Sequence, residues 1–225
     1  MRASDARPTA GRLTTLFLVV LAWSCQSIVY SQPGDALQMV RTGGAVLLGA
    51  AALDWLRPPR LGLTSPQAML LLGAIGMVLG LMVDSHAMRL ELLAGLCGLA
   101  GRNLWSMVQW HWALLPWMHI GMWVGGLTAI PVLRAIRPTC RKQYCVRLAQ
   151  NVACSAWMTV GMSTGALVFE YLASSAAVRS PSSMLGGMFS GMVWGMVVSV
   201  ALYRVYFRVG PMIASNFNPR GAGVS

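Results

Sequence analysis

Histidine and methionine side chains occur together in the apolar parts of this chain, and their chemistry suggests a binding site. Met118, His119 and Met122 open one apolar run, and Met188 and Met192 lie in another. Thioether sulfur and imidazole nitrogen suit soft metal ions, Cu(I) above all. The sequence therefore predicts a soft-metal site, with copper as the candidate ion, whose candidate ligands are His119, Met118, Met122, His86, Met188 and Met192.

The same methionines also have a purely structural interpretation. A methionine side chain is flexible and polarizable, so it fills irregular gaps in a helical core. Residues four apart drift by about 40° per step around a helix, so the methionines of the last run cannot all face one channel. The methionines of that last run are Met184, Met188, Met192 and Met196. The sequence leaves metal binding and packing open as alternatives for all of these methionines.

A glycine pattern, Gly-Met-x-x-Gly, recurs in four apolar runs of the chain. Two glycines four residues apart lie on one face of a helix, one turn above the other. In a membrane, such pairs allow helix backbones to approach closely. We expect helix packing through Gly76, Gly80, Gly121, Gly125, Gly161, Gly165, Gly187, Gly191 and Gly195.

Composition indicates that a membrane holds these residues. The chain has 225 residues, of which 56% are hydrophobic and only 10% are charged, whereas soluble domains carry about 25% charged residues. The net charge is +11, but the basic residues lie in short loops between apolar runs, which is typical of membrane proteins. We therefore expect a single polytopic membrane domain over residues 1–225, with no nucleic-acid partner.

The apolar runs predict an all-α integral membrane protein with six transmembrane helices. The spans are expected at about 13–30, 36–56, 66–83, 113–136, 148–173 and 184–207. A shorter apolar segment at 88–104 is expected to be interfacial or re-entrant, because runs of about 10–14 residues rarely span. The first run is expected to be a retained anchor rather than a cleaved signal peptide, since it exceeds the usual length of about 7–15 residues for that segment.

Basic residues orient the predicted bundle. With both termini inside (N-in/C-in), one inner loop holds Arg134, Arg137, Arg141, Lys142 and Arg147, whereas the outer loops hold only Arg89, Arg102 and Arg179. A seventh span near 88–110 would place the basic loop outside, against the positive-inside rule. We expect a multi-pass protein of the bacterial inner (cytoplasmic) membrane.

Tryptophans crowd the start of the fourth predicted span, at positions 105, 110, 112 and 117. Tryptophan prefers the membrane–water interface, so we expect these side chains to mark the outer rim of that span. An aromatic-lined mouth for a substrate is the alternative.

The fourth and fifth predicted spans share a longer similarity. Residues 117–127 and 157–167 are identical at six of eleven positions. Consecutive spans run in opposite directions, so a duplication would be inverted in the membrane, as in many transporters. Convergence on one packing motif is the alternative.

Three charged residues lie within or at the ends of predicted spans, where an ionisable group is costly. Arg41 and Glu170 fall toward the outer ends of their helices, and we expect them to pair, with a proton relay through Glu170 as the alternative. Asp54 stands near Arg57, and we expect a surface pair there.

No catalytic motif is found in the sequence. It contains no GxSxG, HExxH or P-loop pattern, and its five cysteines include no CxxC that would indicate zinc. We expect a non-enzymatic protein that binds or transports a soft metal ion. The alternative is a non-catalytic scaffold or assembly component, whose partners are the lipid bilayer and a second copy of the chain or another membrane subunit.

Overall fold

The structure is a computed structural model that describes residue 20 and residues 36–56, 64–87, 104–136, 144–173 and 181–217. These parts of the chain form helices and no strand. The helices are α1 (Ala36–Leu56), α2 (Ser65–Ala87), α3 (Leu104–Leu114), α4 (Pro116–Ile136), α5 (Tyr144–Ala173) and α6 (Pro181–Phe217). Nearly all of the predicted span at 13–30 and of the segment 88–104 lies outside the described residues, as does the side chain of Glu170.

Three helical stretches in the described part of the chain are long and apolar enough to cross a membrane. They are Ala36–Leu56, Ser65–His86 and Met184–Tyr206. A fourth span results if Val108–Leu114 and Pro116–Leu133 are taken as one, although the chain bends by 99° between them. The described part of the chain is therefore all-helical, and its three or four candidate spans are those of a membrane protein.

The fourth and fifth predicted spans differ from expectation in detail. The run 113–136 is divided at Leu115, and α4 begins only at Pro116. Proline suits the first position of a helix because its missing N–H needs no partner there. The run 148–173 lies in one long helix, α5, which is not among the candidate spans of the described residues.

Local hydrogen bonds explain where α2 begins. The backbone N–H of Thr64 donates to Oε1 of Gln67 at 2.8 Å, and the Thr64 carbonyl accepts the N–H of Ala68 at 2.9 Å. The glutamine side chain reaches back to the N–H of the threonine three residues earlier, which is one of the two bonds of a capping box. The sequence Thr64-Ser65-Pro66-Gln67 thus places the first turn of α2.

The capping glutamine also joins α2 to α1. Nε2 of Gln67 donates to Oδ1 of Asp54 at 2.5 Å, and both residues are buried. Asp54 is therefore buried rather than at the surface as expected, and its expected neighbour Arg57 lies outside the described residues. A buried charge needs hydrogen-bonding partners, and the start of α2 provides one.

Glycines bring α2 and α4 into backbone contact. A Cβ atom added at Gly76 would collide with the carbonyl oxygen of Gly121, and one added at Gly121 would collide with that of Gly76. One turn along, a Cβ atom at Gly80 would collide with the carbonyl oxygen of Trp117. The residue numbers rise on one helix as they fall on the other, so the two helices are antiparallel.

The same arrangement is found between α5 and α6. A Cβ atom at Gly161 would collide with the carbonyl oxygen of Gly191, and one at Gly165 with that of Gly187. Trp157 presents its carbonyl to Gly195, as Trp117 does to Gly80 in the first pair. The similar stretches 117–127 and 157–167 thus perform the same packing role against different partner helices.

Helix α1 packs on α6 in the parallel direction. A Cβ atom at Gly186 would lie 2.7 Å from Cγ2 of Thr42, and one at Gly49 would lie 2.7 Å from Cγ1 of Val193. The residue numbers of the contacting pairs rise together along α1 and α6, so these two helices are parallel. Nε1 of Trp194 donates to the carbonyl oxygen of Ala45 at 3.1 Å, which adds a polar contact to this interface.

A methyl group at a paired glycine should separate the helices, whereas one at an unpaired glycine should not. We expect Gly121→Ala and Gly161→Ala to lower the free energy of unfolding by about 2 kcal/mol or more, because overpacking against backbone cannot relax by a rotamer change. Gly44→Ala is the matched control, since nothing lies within 4 Å of the added atom. The measurement is unfolding in detergent micelles; equal stability of the three variants would contradict this packing.

Candidate soft-metal site

His119 occupies the first turns of α4 and is fully buried. Its Nδ1 atom lies 2.8 Å from the carbonyl oxygen of Leu115. A carbonyl only accepts, so Nδ1 must carry the proton, and Nε2 then holds a lone pair. Nε2 is buried and has no hydrogen-bonding partner in the part of the chain that the structure describes. This is the state in which imidazole binds a metal ion.

Asp84 of α2 holds the start of α4 in place. Its carboxylate is buried and accepts the backbone N–H of Met118 at 2.8 Å and that of Trp117 at 3.3 Å. The first N–H groups of a helix have no partner within it, and a negative charge there is favourable. Asp84 thus orients the turn that carries His119.

Two aromatic neighbours come from α3, on the other side of the bend. The ring of Trp112 stacks on His119 with centroids 4.8 Å apart, and His111 lies 6.5 Å from His119. His111 is fully buried as well. The bend at Leu115 therefore folds α3 back beside the first turn of α4, which encloses His119.

An open groove lies beside this cluster. It has a volume of about 500 Å³ and is lined by Trp105, Val108, Trp112, Trp123, Ala156, Thr159 and Val160. Its walls are largely apolar, and Trp112 separates it from His119. The tryptophans at positions 105, 110, 112 and 117 all have exposed faces.

Methionines from four helices lie at the level of His119. Gly76 stands opposite Gly121, which places Met77 within a turn of His119 and Met122. Trp123 contacts Thr159 through a hydrogen bond of 3.1 Å, which places Met162 at the same level on α5.

The contact between Gly161 and Gly191 extends this level to α6. All of these methionines are fully buried and belong to one core cluster. The name methionine layer is used below for Met77, Met122, Met162, Met188 and Met192.

The remaining predicted ligands are placed differently. Met118 is fully buried and packs toward α2, with its Cα 2.7 Å from a Cβ atom built at Gly80. His86 is exposed near the end of α2, and its Nδ1 lies 2.7 Å from the Met82 carbonyl oxygen of its own helix. The structure therefore brings His119, Met122, Met188 and Met192 to one level, and it leaves His86 at the surface.

The other common metal ligands do not gather anywhere in the described residues. No group of three or more histidine, cysteine, aspartate or glutamate side chains is found there that could hold a metal ion. The Cys154 thiol is buried and accepts a hydrogen bond from Ser199 on α6 at 3.1 Å. A metal ion at His119 would thus depend on thioether ligands.

Several features of the site were not predicted from the sequence. The role of His111 depends on the 99° bend at Leu115, which no apolar pattern reveals. The capping role of Asp84 depends on a tertiary contact between α2 and α4. Pro116, one residue after Leu115, was the available signal for the break.

No family model, curated protein or solved structure matches the chain. Its function is therefore inferred from the geometry of its own residues.

Removal of the Asp84 carboxylate should loosen the start of α4. We expect Asp84→Ala to lower the free energy of unfolding by about 2 kcal/mol, as loss of a helix cap does, and Asp84→Asn to lower it less because one acceptor oxygen remains. Ser85→Ala is the adjacent control, since its hydroxyl bonds only to Met82 of the same helix. The free energy of unfolding of the three variants is measured in detergent micelles. An Asp84→Ala protein as stable as the wild type would rule out the cap.

Proposed function

We propose that the protein is a membrane protein that binds a soft metal ion, Cu(I), between His119 and the methionine layer. The observation that carries the proposal is the buried Nε2 atom of His119, whose lone pair has no hydrogen-bonding partner among the described residues. An unsatisfied polar atom in a low-dielectric interior is costly. A metal ligand role gives that atom a partner.

The neighbouring side chains favour a soft ion over a hard one. Buried thioethers of α2, α4, α5 and α6 support this, since the glycine contacts and the hydrogen bond from Trp123 to Thr159 relate their helices to the one that carries His119. Thioethers bind Cu(I) well and bind Mg²⁺ or Ca²⁺ poorly, since those ions prefer oxygen. One imidazole and two or three thioethers carry no net charge, so a monovalent cation adds only one charge to the core.

We further propose that the chain crosses the cytoplasmic membrane of a bacterial-type cell six times, with both termini on the cytoplasmic side. Helix directions support this, because α2 with α4 and α5 with α6 are antiparallel while α1 and α6 are parallel. Regular alternation of spans two to six gives the same directions. The basic loop between α4 and α5 then lies inside, in agreement with the positive-inside rule.

A non-catalytic scaffold is the second candidate, and one contact favours it. Cε of Met158 lies 3.1 Å from a Cβ atom built at Gly73 and 4.0 Å from one built at Gly126. This methyl group fills the space that the two glycines leave, as the packing interpretation requires. Under this alternative, the methionine layer fills space only, and the protein assembles with a second copy or another membrane subunit.

Copper retention distinguishes the two candidates. Purified protein loaded with Cu(I) under reducing conditions is expected to retain about one ion per chain. His119→Ala combined with Met122→Leu should lower the affinity by about 100-fold or more, because a lost ligand costs several kcal/mol. Metal analysis after competition with a Cu(I) chelator measures the affinity.

His86→Ala is the matched histidine control. Its ring lies at the surface and contacts its own helix, so copper retention should not change. A wild-type protein that retains no copper would exclude the metal function. Equal losses of copper in His86→Ala and in the His119 variant would show that the site does not lie at the methionine layer.

The orientation can be tested separately. Fusion of a fluorescent protein to the C-terminus should give fluorescence, and fusion of alkaline phosphatase should give no activity, because the C-terminus is expected inside. The control is alkaline phosphatase fused directly after position 87, at the end of α2 that is expected outside, and this fusion should be active. The reverse pattern would contradict the proposed topology.

A further inference from the structure

The groove beside His119 lies where the two tight helix pairs meet. Helices α2 and α4 are in backbone contact, as are α5 and α6. In contrast, α4 reaches α5 through the indole of Trp123, whose Nε1 donates to Oγ1 of Thr159 at 3.1 Å. A bulky side chain keeps two helices farther apart than paired glycines do. Helix α3, which folds back at the 99° bend, forms the third side of the remaining space.

The walls of this groove, here called the tryptophan groove after Trp105, Trp112 and Trp123, are hydrocarbon and aromatic. Two valines, one alanine and Thr159 complete the lining. Oγ1 of Thr159 accepts from Trp123 and donates to the carbonyl oxygen of Ser155 at 3.0 Å, so this hydroxyl is already paired. No charged side chain is among the described residues that line the groove. The walls therefore suit a hydrocarbon ligand.

The tryptophan groove is open toward its surroundings, which in a membrane protein are lipid. Helices α3 and α4 form the candidate bent span, and the lining residues Trp105, Trp112 and Val160 are 66%, 38% and 39% exposed. The volume of about 500 Å³ falls within the range of about 300–1,000 Å³ that is typical of ligand sites. An empty groove of this size would cost its lining the dispersion contacts that a ligand supplies.

We propose that the tryptophan groove binds one acyl chain of a membrane phospholipid. The apolar walls contact the chain, and indole N–H groups suit the ester oxygens at its head, since tryptophan combines an apolar ring with a polar donor. Trp112 lines the groove and also stacks on His119 with centroids 4.8 Å apart. The bound chain thus covers the aromatic side of the buried histidine. The proposal stands whether or not the methionine layer binds copper.

Ala156 is the position at which the groove can be filled by mutation. It has the smallest side chain of the lining, so Ala156→Leu adds bulk where the acyl chain is expected. Ala153→Leu is the matched control, because Ala153 is also an exposed alanine of α5 but is not among the lining residues. The full chain and both variants are extracted in mild detergent and washed, and mass spectrometry identifies and counts the lipids retained.

The wild type is expected to retain about one phospholipid per chain, because a groove of this size holds one ligand. Ala156→Leu should lower the retained amount by about 10-fold, since added bulk in a filled site overpacks it. Ala153→Leu should retain as much as the wild type. A wild type that retains no phospholipid, or that retains another apolar compound in its place, would overturn the proposal. Equal retention in the two leucine variants would also overturn it.

Tryptophan fluorescence locates the chain without any change at Ala156, so it decides the question even if Ala156→Leu fails to accumulate. One equivalent of a phosphatidylcholine with brominated acyl chains is added to lipid-stripped protein in detergent, because bromine quenches an indole that it contacts. The loss of fluorescence should be smaller in Trp105→Phe and in Trp112→Phe. It should be unchanged in Trp55→Phe, whose tryptophan is 81% exposed on α1. Equal losses in all three variants would contradict binding in the groove.

Discussion

Direct contact between helix backbones is the constraint on which this structure depends. At the α2–α4 and α5–α6 interfaces, glycines leave no room for even a Cβ atom. Between helices in lipid there is little hydrophobic driving force, so packing at short range supplies the stability. The four helices are therefore held as two tight antiparallel pairs, and α4 and α5 meet between the pairs.

This close approach decides where the methionines lie. Helices in backbone contact leave uneven space on either side of the contact, and a long flexible side chain fills it. Each methionine of the methionine layer follows a paired glycine by one residue, as Met77 follows Gly76 and Met122 follows Gly121. Packing alone thus concentrates thioether sulfur at one level of the bundle. The proposed soft-metal site needs only one further ligand there, and His119 is the candidate.

The polar groups near this level are held by tertiary contacts. Asp84 reaches from α2 to the first N–H groups of α4, and the carbonyl of Leu115 sets the tautomer of His119. Both contacts are located where the chain turns by 99°. The geometry of His119 consequently depends on the bend, on the Asp84 cap and on the glycine contacts that bring α2 to α4.

Sequence patterns predicted the helical membrane class well, because composition and apolar runs are local properties. The glycines of the repeated pattern lie at two helix interfaces, and only the structure shows that α4 meets α2 there and that α5 meets α6. The sequence misplaced Asp54, whose partner Gln67 comes from the next helix, and it overlooked His111, which reaches His119 only through the bend. Such features depend on contacts between distant segments, which spacing along one helix does not reveal.

X-ray absorption spectroscopy of the Cu(I)-loaded protein tests the central claim most directly. The measurement is made on a variant in which serine replaces all five cysteines, so that any sulfur bound to copper must come from methionine. The account predicts two or three sulfur neighbours and one imidazole nitrogen, with the nitrogen signal lost in His119→Ala. A copper centre bound only by nitrogen and oxygen, or one that keeps its imidazole in His119→Ala, would contradict it.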